Sequence, residues 1–280
     1  MKISTPTELN KFLAENGLTA KKSSSQNFLI DGNIVRKIVA EANISQDDLV
    51  IEIGPGPGAL TEALLETGCQ VLAIEKDNQL ATLLKRFSTD SNKLEILSDD
   101  FLEVPLEEIL RKRLRPGQKA KVVANLPYHI TTPILIKLLL LQELFSDLIL
   151  MVQREVADRF VAKVGNKDYS SFTLFLQFFS KVHYCFTIEP SCFQPRPTIQ
   201  SAVVHLVLQP VPQVENQDLF FQLTRTAFQQ RRKMMRASLK ALFPSKKIEE
   251  ALEKIGLNPL SRPEELSLEQ FIKLHQILSA

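Results

Sequence analysis

The sequence predicts an α/β protein with an open parallel sheet, a late antiparallel strand pair and a smaller all-helical domain at the carboxyl end. From residue 48 onward, short runs rich in β-branched residues alternate with segments of helical periodicity, a pattern typical of a parallel sheet. The chain of 280 residues is long enough for two domains, and its 44% hydrophobic and 24% charged residues are a globular composition. A collagen-like, disulfide-scaffold or wholly disordered protein is excluded.

Each predicted strand of the parallel sheet is a short apolar run that precedes a helical segment. The runs are residues 49–53, 71–75, 94–97, 121–125 and 148–152. Gly68 ends the helix after the first run, and Pro133 begins the helix after the fourth. Residues 182–190 and 201–210 are predicted to form the antiparallel pair, joined by a proline-rich loop.

A polar segment with two prolines, residues 210–218, predicts a linker between two domains. We place residues 1–211 in the first domain, with residues 1–47 as an amino-terminal segment or lid. Residues 212–280 form the helical domain. The pair Lys21-Lys22, beside a serine-rich stretch, is a candidate for a flexible part of the lid.

Cysteine, histidine and hydropathy patterns predict a reduced, cytoplasmic protein. The three cysteines form no CxxC pair and the four histidines are scattered, so we expect neither disulfides nor a metal site. The amino terminus lacks the apolar core of a signal peptide. The most apolar stretch, residues 134–141, contains Lys137 and is shorter than the ~20 residues that cross a bilayer. No long apolar stripe requires a partner, so we expect a monomer that does not contact a membrane.

A glycine-rich turn, GPGPG at residues 54–58, follows the first strand. Glycines at such a turn let the backbone approach a ligand, at which the next helix directs its N–H groups. Glu75 lies 21 residues after Gly54, where a carboxylate can accept hydrogen bonds from ribose hydroxyls. An NAD dehydrogenase shares both features, and a structural turn beside a surface acid is a further alternative.

Two more polar features follow the third and fourth strands. Asp100 lies where a carboxylate could accept a hydrogen bond from an adenine amino group, and the sequence Asn125-Leu126-Pro127-Tyr128 ends the fourth strand. Polar or glycine features therefore follow four successive strands, at the sheet edge where α/β proteins bind ligands.

Around these features the chain resembles the ribosomal RNA adenine dimethyltransferase family over roughly residues 23–240. The segments that carry the resemblance are QNFL (26–29), IEIGPGPGALT (51–61), NLPYHITTPI (125–134), QREVADRF (153–160) and FQPRPTIQSAVV (193–204). The resemblance implies a Rossmann-like class I methyltransferase fold and S-adenosyl-L-methionine as cofactor. It also implies dimethylation of N6 of two adjacent adenines in the 3′-terminal hairpin loop of 16S ribosomal RNA, during biogenesis of the 30S subunit.

The resemblance also implies roles for individual residues. The cofactor would be lined by Asn27, Leu29, Gly54, Glu75, Asp100 and Asn125. Gly54 would face its methionine part, Glu75 its ribose and Asp100 its adenine.

The target adenine would be held by the NLPY segment. The Asn125 side-chain oxygen and the Leu126 carbonyl would accept hydrogen bonds from its amino group. Pro127 would fix the backbone, and Tyr128 would stack on the base. Phe193 would cover the other face of the base or, alternatively, anchor the proline-rich loop in the core. The chain departs from the family at Thr198-Ile199-Gln200, where the resemblance leads us to expect a basic and an acidic residue.

The net charge of +2 conceals a basic segment at residues 225–247, which contains eight Lys and Arg residues and no acid. With +8 there, the rest of the chain carries −6. On one continuous helix, an arc of ~100° would contain Arg225, Arg232, Lys233, Arg236 and Lys240. Such a stripe predicts contact with the RNA backbone, and an ordinary solvated helix face is the alternative.

Two other functions fit parts of this pattern. One is 23S ribosomal RNA adenine N6-methylation that confers macrolide resistance, and the other is a ribosome-assembly binding factor whose methylation is incidental. The helical tail and the NLPY sequence favour the 16S enzyme over the 23S enzyme.

Overall fold

The structure, a computed structural model, describes residues 5–18, 27–88, 93–230 and 232–280. Lys21, Lys22 and Arg231 therefore lie outside the described residues. In chain order the described strands are β1 (Phe28–Leu29), β2 (Leu49–Ile53), β3 (Gln70–Ile74), β4 (Leu94–Leu97), β5 (Ala120–Asn125), β6 (Phe145–Gln153), β7 (Ser180–Ile188), β8 (Phe193–Gln194) and β9 (Ser201–Leu208). The described α-helices are α1 (Pro6–Glu15), α2 (Gly32–Glu41), α3 (Ala59–Glu66), α4 (Asn78–Leu84), α5 (Leu106–Arg113), α6 (Thr131–Leu140), α7 (Arg154–Phe160), α8 (Ser171–Phe179), α9 (Gln217–Gln229), α10 (Met235–Ser238), α11 (Ser245–Lys254) and α12 (Leu268–Ser279).

The central sheet has the strand order β4-β3-β2-β5-β6-β9-β7. Strand β2 is parallel to β3 and β5, β3 is parallel to β4, and β5 is parallel to β6. Strand β9 is antiparallel to β6 and lies between β6 and β7. Every residue of β2 is buried, as expected for a parallel strand that helices cover on both faces. The predicted α/β class, with a parallel sheet and a late antiparallel addition, is confirmed.

The direction in which strands are added to the sheet reverses at β2. The chain continues from β2 to β3 and β4 on one side, then crosses to β5 and β6 on the other side. Such a reversal leaves a crevice outside the carboxyl ends of the two strands that flank it, here β2 and β5. The glycine-rich turn follows β2 and the NLPY segment begins at the end of β5, so both lie at this crevice.

A second, two-stranded sheet pairs β1 with β8 in antiparallel register. Leu29 lies opposite Phe193, and both side chains are buried in the hydrophobic core. The pairing places the residues just before Leu29, Asn27 and Phe28, at the crevice.

The chain divides into two compact units with boundaries that differ from the predicted ones. The first unit comprises Met1–Ala157 and His183–Leu208, and the second comprises Asp158–Val182 and Gln209–Ala280. Residues 158–182 were predicted to belong to the first domain, but they pack with the helical part. The reason is α8, whose apolar side chains require partners: the Phe178 ring centroid lies 5.5 Å from that of Phe220 and 5.0 Å from that of Phe221, both on α9.

The basic segment is not one continuous helix, so that prediction is wrong. Helix α9 ends at Gln229, the backbone is extended at Met234 with ψ 154°, and α10 has only four residues. The change of direction buries Met235, whose N–H donates to the carbonyl of Ser261 at 2.8 Å. Burial of an apolar side chain, together with this hydrogen bond, favours the break.

Within the described ranges, no helix is long and apolar enough to span a membrane. Over the same residues, no group of three or more His, Cys, Asp and Glu side chains could hold a metal ion.

Candidate active site

A cavity of about 450 Å³ opens at the carboxyl ends of β2, β3, β4 and β5. All four polar or glycine features that the sequence analysis singled out contribute to its wall. The predicted residues among those that line it are Asn27, Gly54, Glu75, Asp100, Asn125, Leu126, Pro127 and Tyr128. Parallel strands explain this convergence, because their carboxyl ends share one edge of the sheet.

The glycine-rich turn brings backbone close to the cavity where a side chain would not fit. Gly56 has φ 58°, and a Cβ there would lie 3.1 Å from the Phe28 ring. Gly58, with φ 89°, begins α3, and a Cβ there would lie 2.5 Å from the Phe87 ring. Positive φ and the lack of space both require glycine.

Glu75 is fixed in place by two backbone donors. Its Oε2 accepts from the Gly56 N–H and its Oε1 from the Asp77 N–H, each at 2.9 Å. Burial raises the pKa of the carboxyl group, while the two hydrogen bonds oppose that shift. A carboxylate offers about four acceptor positions, so a cavity-facing Glu75 retains the capacity to accept from vicinal hydroxyls.

Asp100 follows β4, lines the same cavity and is paired with Lys76. Its Oδ2 is 2.7 Å from Lys76 Nζ, and its Oδ1 accepts from the Leu102 N–H at 3.0 Å. The Lys76 hydrogen bond and that backbone contact lower the pKa of Asp100. Asp100 is therefore an ionised acceptor at neutral pH, suited to an amino group.

The amide of Asn125 has a defined orientation, because its Nδ2 donates to the Asn27 carbonyl at 3.2 Å. The side-chain oxygen is the other terminal atom of the amide, and it can accept a hydrogen bond. The next residue, Leu126, has a buried side chain, and its N–H donates to the Met151 carbonyl at 3.1 Å. These contacts fix the position of the Leu126 backbone, and with it the Leu126 carbonyl.

Tyr128 is half-buried, and its hydroxyl forms a 2.6 Å hydrogen bond with Ser201 Oγ, which is fully buried at the start of β9. Burial raises the pKa of the phenol. An aromatic ring held at both its backbone and its hydroxyl is a rigid platform on which a base can stack.

Two predicted site residues lie elsewhere. Leu29 and Phe193 are 7% and 2% exposed, belong to the core, and do not appear among the described residues that line the cavity. Their apolar side chains belong to the same core cluster as Val50 of β2 and Val123 of β5. This placement favours the alternative in which Phe193 anchors the proline-rich loop.

Three polar residues that support this site were not predicted from the sequence. Lys76 pairs with Asp100, Ser201 holds Tyr128, and Lys137 donates to the loop after β4. A charged residue within the apolar stretch 134–141 is a signal for the third, because a lysine there needs acceptors. No local pattern distinguishes Ser201 from any other serine that begins a strand.

The basic residues differ in their surroundings. Arg225, Arg232, Lys233 and Lys240 are exposed, whereas Arg236 is half-buried and lies 2.6 Å from a Glu249 carboxylate oxygen. Arg236 is thus neutralised in part by its own helical unit.

Residues 17–280 match the family model described as Ribosomal RNA adenine dimethylase. The chain is 56% identical to Ribosomal RNA small subunit methyltransferase A of Protochlamydia amoebophila, over 100% of this chain and 99% of that protein. It is 46% identical to the protein of the same name from Chlamydia abortus, with the same coverage.

Two solved structures are similar over most of the chain. A dimethyladenosine transferase from Plasmodium falciparum has a TM-score of 0.74 and 29% identity, covering 88% of this chain and 95% of that one. The 23S rRNA methyltransferase ErmE has a TM-score of 0.68 and 24% identity, covering 91% and 100%. The second likeness concerns the fold alone.

Proposed function

Because the chain belongs to the ribosomal RNA adenine dimethylase family and is an RNA methyltransferase, we propose that it dimethylates N6 of two adjacent adenines in the 3′-terminal hairpin loop of 16S ribosomal RNA. S-adenosyl-L-methionine is the proposed cofactor and the immature 30S subunit the proposed partner. The observation that carries this proposal is the single cavity at which Glu75, Asp100 and the NLPY segment converge. Full-length similarity to small-subunit enzymes favours 16S over 23S RNA.

The hydrogen-bond acceptors that line the cavity suit the donor groups of the proposed cofactor. Glu75, buried and held by two N–H groups, suits the ribose hydroxyls, and the ionised Asp100 suits the adenine amino group. The positive-φ glycine backbone leaves space for the methionine part beside Gly54. When bound, the cofactor supplies a methyl group on a sulfonium, which is open to direct displacement.

The chemical problem is the weak nucleophilicity of adenine N6, whose lone pair is delocalised into the ring. The Asn125 side-chain oxygen and the Leu126 carbonyl can accept hydrogen bonds from the two N–H groups of the amino group. Acceptors placed in this way favour a more tetrahedral nitrogen, so they stabilise the transition state more than the ground state. Tyr128 supplies stacking worth about 1–3 kcal/mol per base.

No strong general base is required, since the product ammonium loses its proton after transfer. Positioning of the amino group therefore supplies much of the rate enhancement. A single-stranded loop suits this arrangement, because its bases enter a pocket without melting a duplex.

We further propose that the exposed residues Arg225, Arg232, Lys233 and Lys240 contact the RNA backbone, with Arg236 in a lesser role because of its pairing with Glu249. The helical unit, Asp158–Val182 and Gln209–Ala280, then acts as an RNA-binding domain. Ribosomal RNA as substrate implies a cytoplasmic location, and we propose that the protein acts as a monomer.

The direct test is transfer of labelled methyl groups from S-adenosylmethionine to immature small subunits, naked 16S RNA and 23S RNA. We expect transfer to small-subunit adenines and none to 23S RNA. Asn125→Ala should abolish transfer and leave RNA affinity nearly unchanged, whereas Asn33→Ala, at an exposed site on α2, should behave as wild type. Methylation confined to 23S RNA, or an equal collapse of RNA affinity in Asn125→Ala, would refute the assignment.

A further inference from the structure

The loop between β4 and α5 forms one wall of the cavity and is folded around Asp100. The Asp100 carbonyl accepts from the N–H groups of Glu103 and Val104 at 2.9 and 3.1 Å. The Asp100 carboxylate accepts from the Leu102 N–H at 3.0 Å. With its N–H groups directed at Asp100, the loop pairs the Val104 carbonyl with the Leu106 N–H at 2.8 Å, but it needs a donor from outside for the carbonyls of Phe101 and Leu102.

That donor is Lys137 on α6. Its Nζ donates to the carbonyls of Phe101, Leu102 and Val104 at 2.8, 2.8 and 2.6 Å. An ammonium group has three N–H donors, so each has an acceptor in the same loop. The same Nζ lies 5.3 Å from the centre of the Phe101 ring.

Lys137 thereby joins two parts of the site. Phe101 and Leu102 line the cavity beside Asp100, while α6 is the helix that follows the NLPY segment. Lysine is half-buried here, and burial lowers its pKa, opposed by the nearby carboxylates of Glu103, Asp100 and Asp99. A half-buried ammonium with three backbone acceptors is a specific contact and not a solvated surface charge.

We propose that Lys137 is a positioning residue that sets the affinity for the adenosine part of the cofactor by holding the loop of residues 100–104 against α6. The proposal rests on the proposed function, in which Asp100 receives the cofactor adenine. Lys137 touches neither substrate nor reacting atoms, so its effect falls on cofactor binding and not on the methyl-transfer step.

The test compares Lys137→Met with Lys121→Met. Lys121 is a matched control because its Nζ also donates to backbone carbonyls, those of Ala42 and Asn43 at 3.1 and 2.7 Å. It lies near the start of β5, at the opposite end of the strand from Asn125. Each variant removes a lysine that donates to backbone carbonyls. Only Lys137→Met removes donors to the loop whose residues Phe101 and Leu102 line the cavity.

For Lys137→Met we expect about a tenfold rise in KM for S-adenosylmethionine, with kcat at saturating cofactor within about twofold of wild type. The dissociation constant of 5′-methylthioadenosine, which carries the adenosine part and a methylthio group but no amino-acid chain, should rise by the same factor. Lys121→Met should leave both values unchanged. Lys137→Arg, which keeps the charge and several donors, should recover part of the affinity.

An unchanged KM in Lys137→Met, a loss confined to kcat, or an equal rise of KM in Lys121→Met would overturn the proposal. Should Lys137→Met fail to fold, judged by circular dichroism, Lys137→Gln and Lys137→Arg supply the same comparison. Failure of the proposed function is a separate result: wild-type protein would then transfer no methyl group to RNA adenine, whatever the affinity of Lys137 variants for 5′-methylthioadenosine.

Discussion

Glu52 gives the sharpest test of the electrostatics beneath the glycine-rich turn. It lies on β2 with 1% exposure, and neither carboxylate oxygen has a hydrogen-bond partner among the described residues. Burial, with a smaller contribution from the charge of Glu75, raises its pKa to about 8. The folded protein therefore keeps the Glu52 proton over a pH range in which the unfolded chain loses it.

The sign follows from proton linkage. An unfolded Glu52 ionises near the ordinary glutamate pKa of 4.5 and the folded one near 8, so folding stability falls as pH rises through this window. The slope approaches about 1.4 kcal/mol per pH unit, which amounts to about 2.5 kcal/mol between about pH 5.5 and 7.5. Glu52→Gln removes the ionisation and keeps the size of the side chain.

Chemical denaturation at the two pH values measures this difference. Relative to wild type, Glu52→Gln should gain about 2.5 kcal/mol in unfolding free energy on going from about pH 5.5 to 7.5. Glu108→Gln, which removes an exposed partner of Lys112 on α5, should show no such trend. Identical pH dependence in wild type and Glu52→Gln would refute the assignment of a neutral, buried Glu52.

Two further predictions concern the turn and the basic segment. Gly58→Ala should lose about 1–3 kcal/mol more unfolding free energy than Gly117→Ala. Both glycines have positive φ, but only a Cβ at Gly58 would meet the Phe87 ring. Equal losses of the two variants in thermal or chemical unfolding would contradict this prediction. Replacing Arg232 and Lys233 together by Gln should reduce the slope of log affinity for RNA against log salt concentration by about 1.5. Filter-binding titrations at several salt concentrations measure this slope. An unchanged slope would exclude contact of these two residues with phosphates.

The parallel sheet was predictable from sequence because its strands are short apolar runs that glycine, proline and polar residues delimit. The cavity followed from the same pattern, since Gly54, Glu75, Asp100 and Asn125 each stand where a strand ends. Local sequence patterns suffice for such features because the sheet itself brings the strand ends together.

Features that depend on tertiary packing were not predictable in the same way. The helical periodicity of the basic segment gave no sign that Met235 would be buried and break the helix. The inclusion of residues 158–182 in the second unit depends on the aromatic contacts of α8 with α9, between segments some 40 residues apart. Hydrogen bonds such as that of Ser201 with Tyr128 join residues far apart in sequence, so no local sequence pattern predicts them.

The proposed reaction is dimethylation of adenines in 16S ribosomal RNA by the site around Asn125. Mass spectrometry of the 3′-terminal hairpin from cells that lack this protein measures it most directly. We predict two unmethylated adenines, with dimethylation restored by wild-type protein and not by Asn125→Ala. Unchanged dimethylation in the absence of the protein would contradict the account.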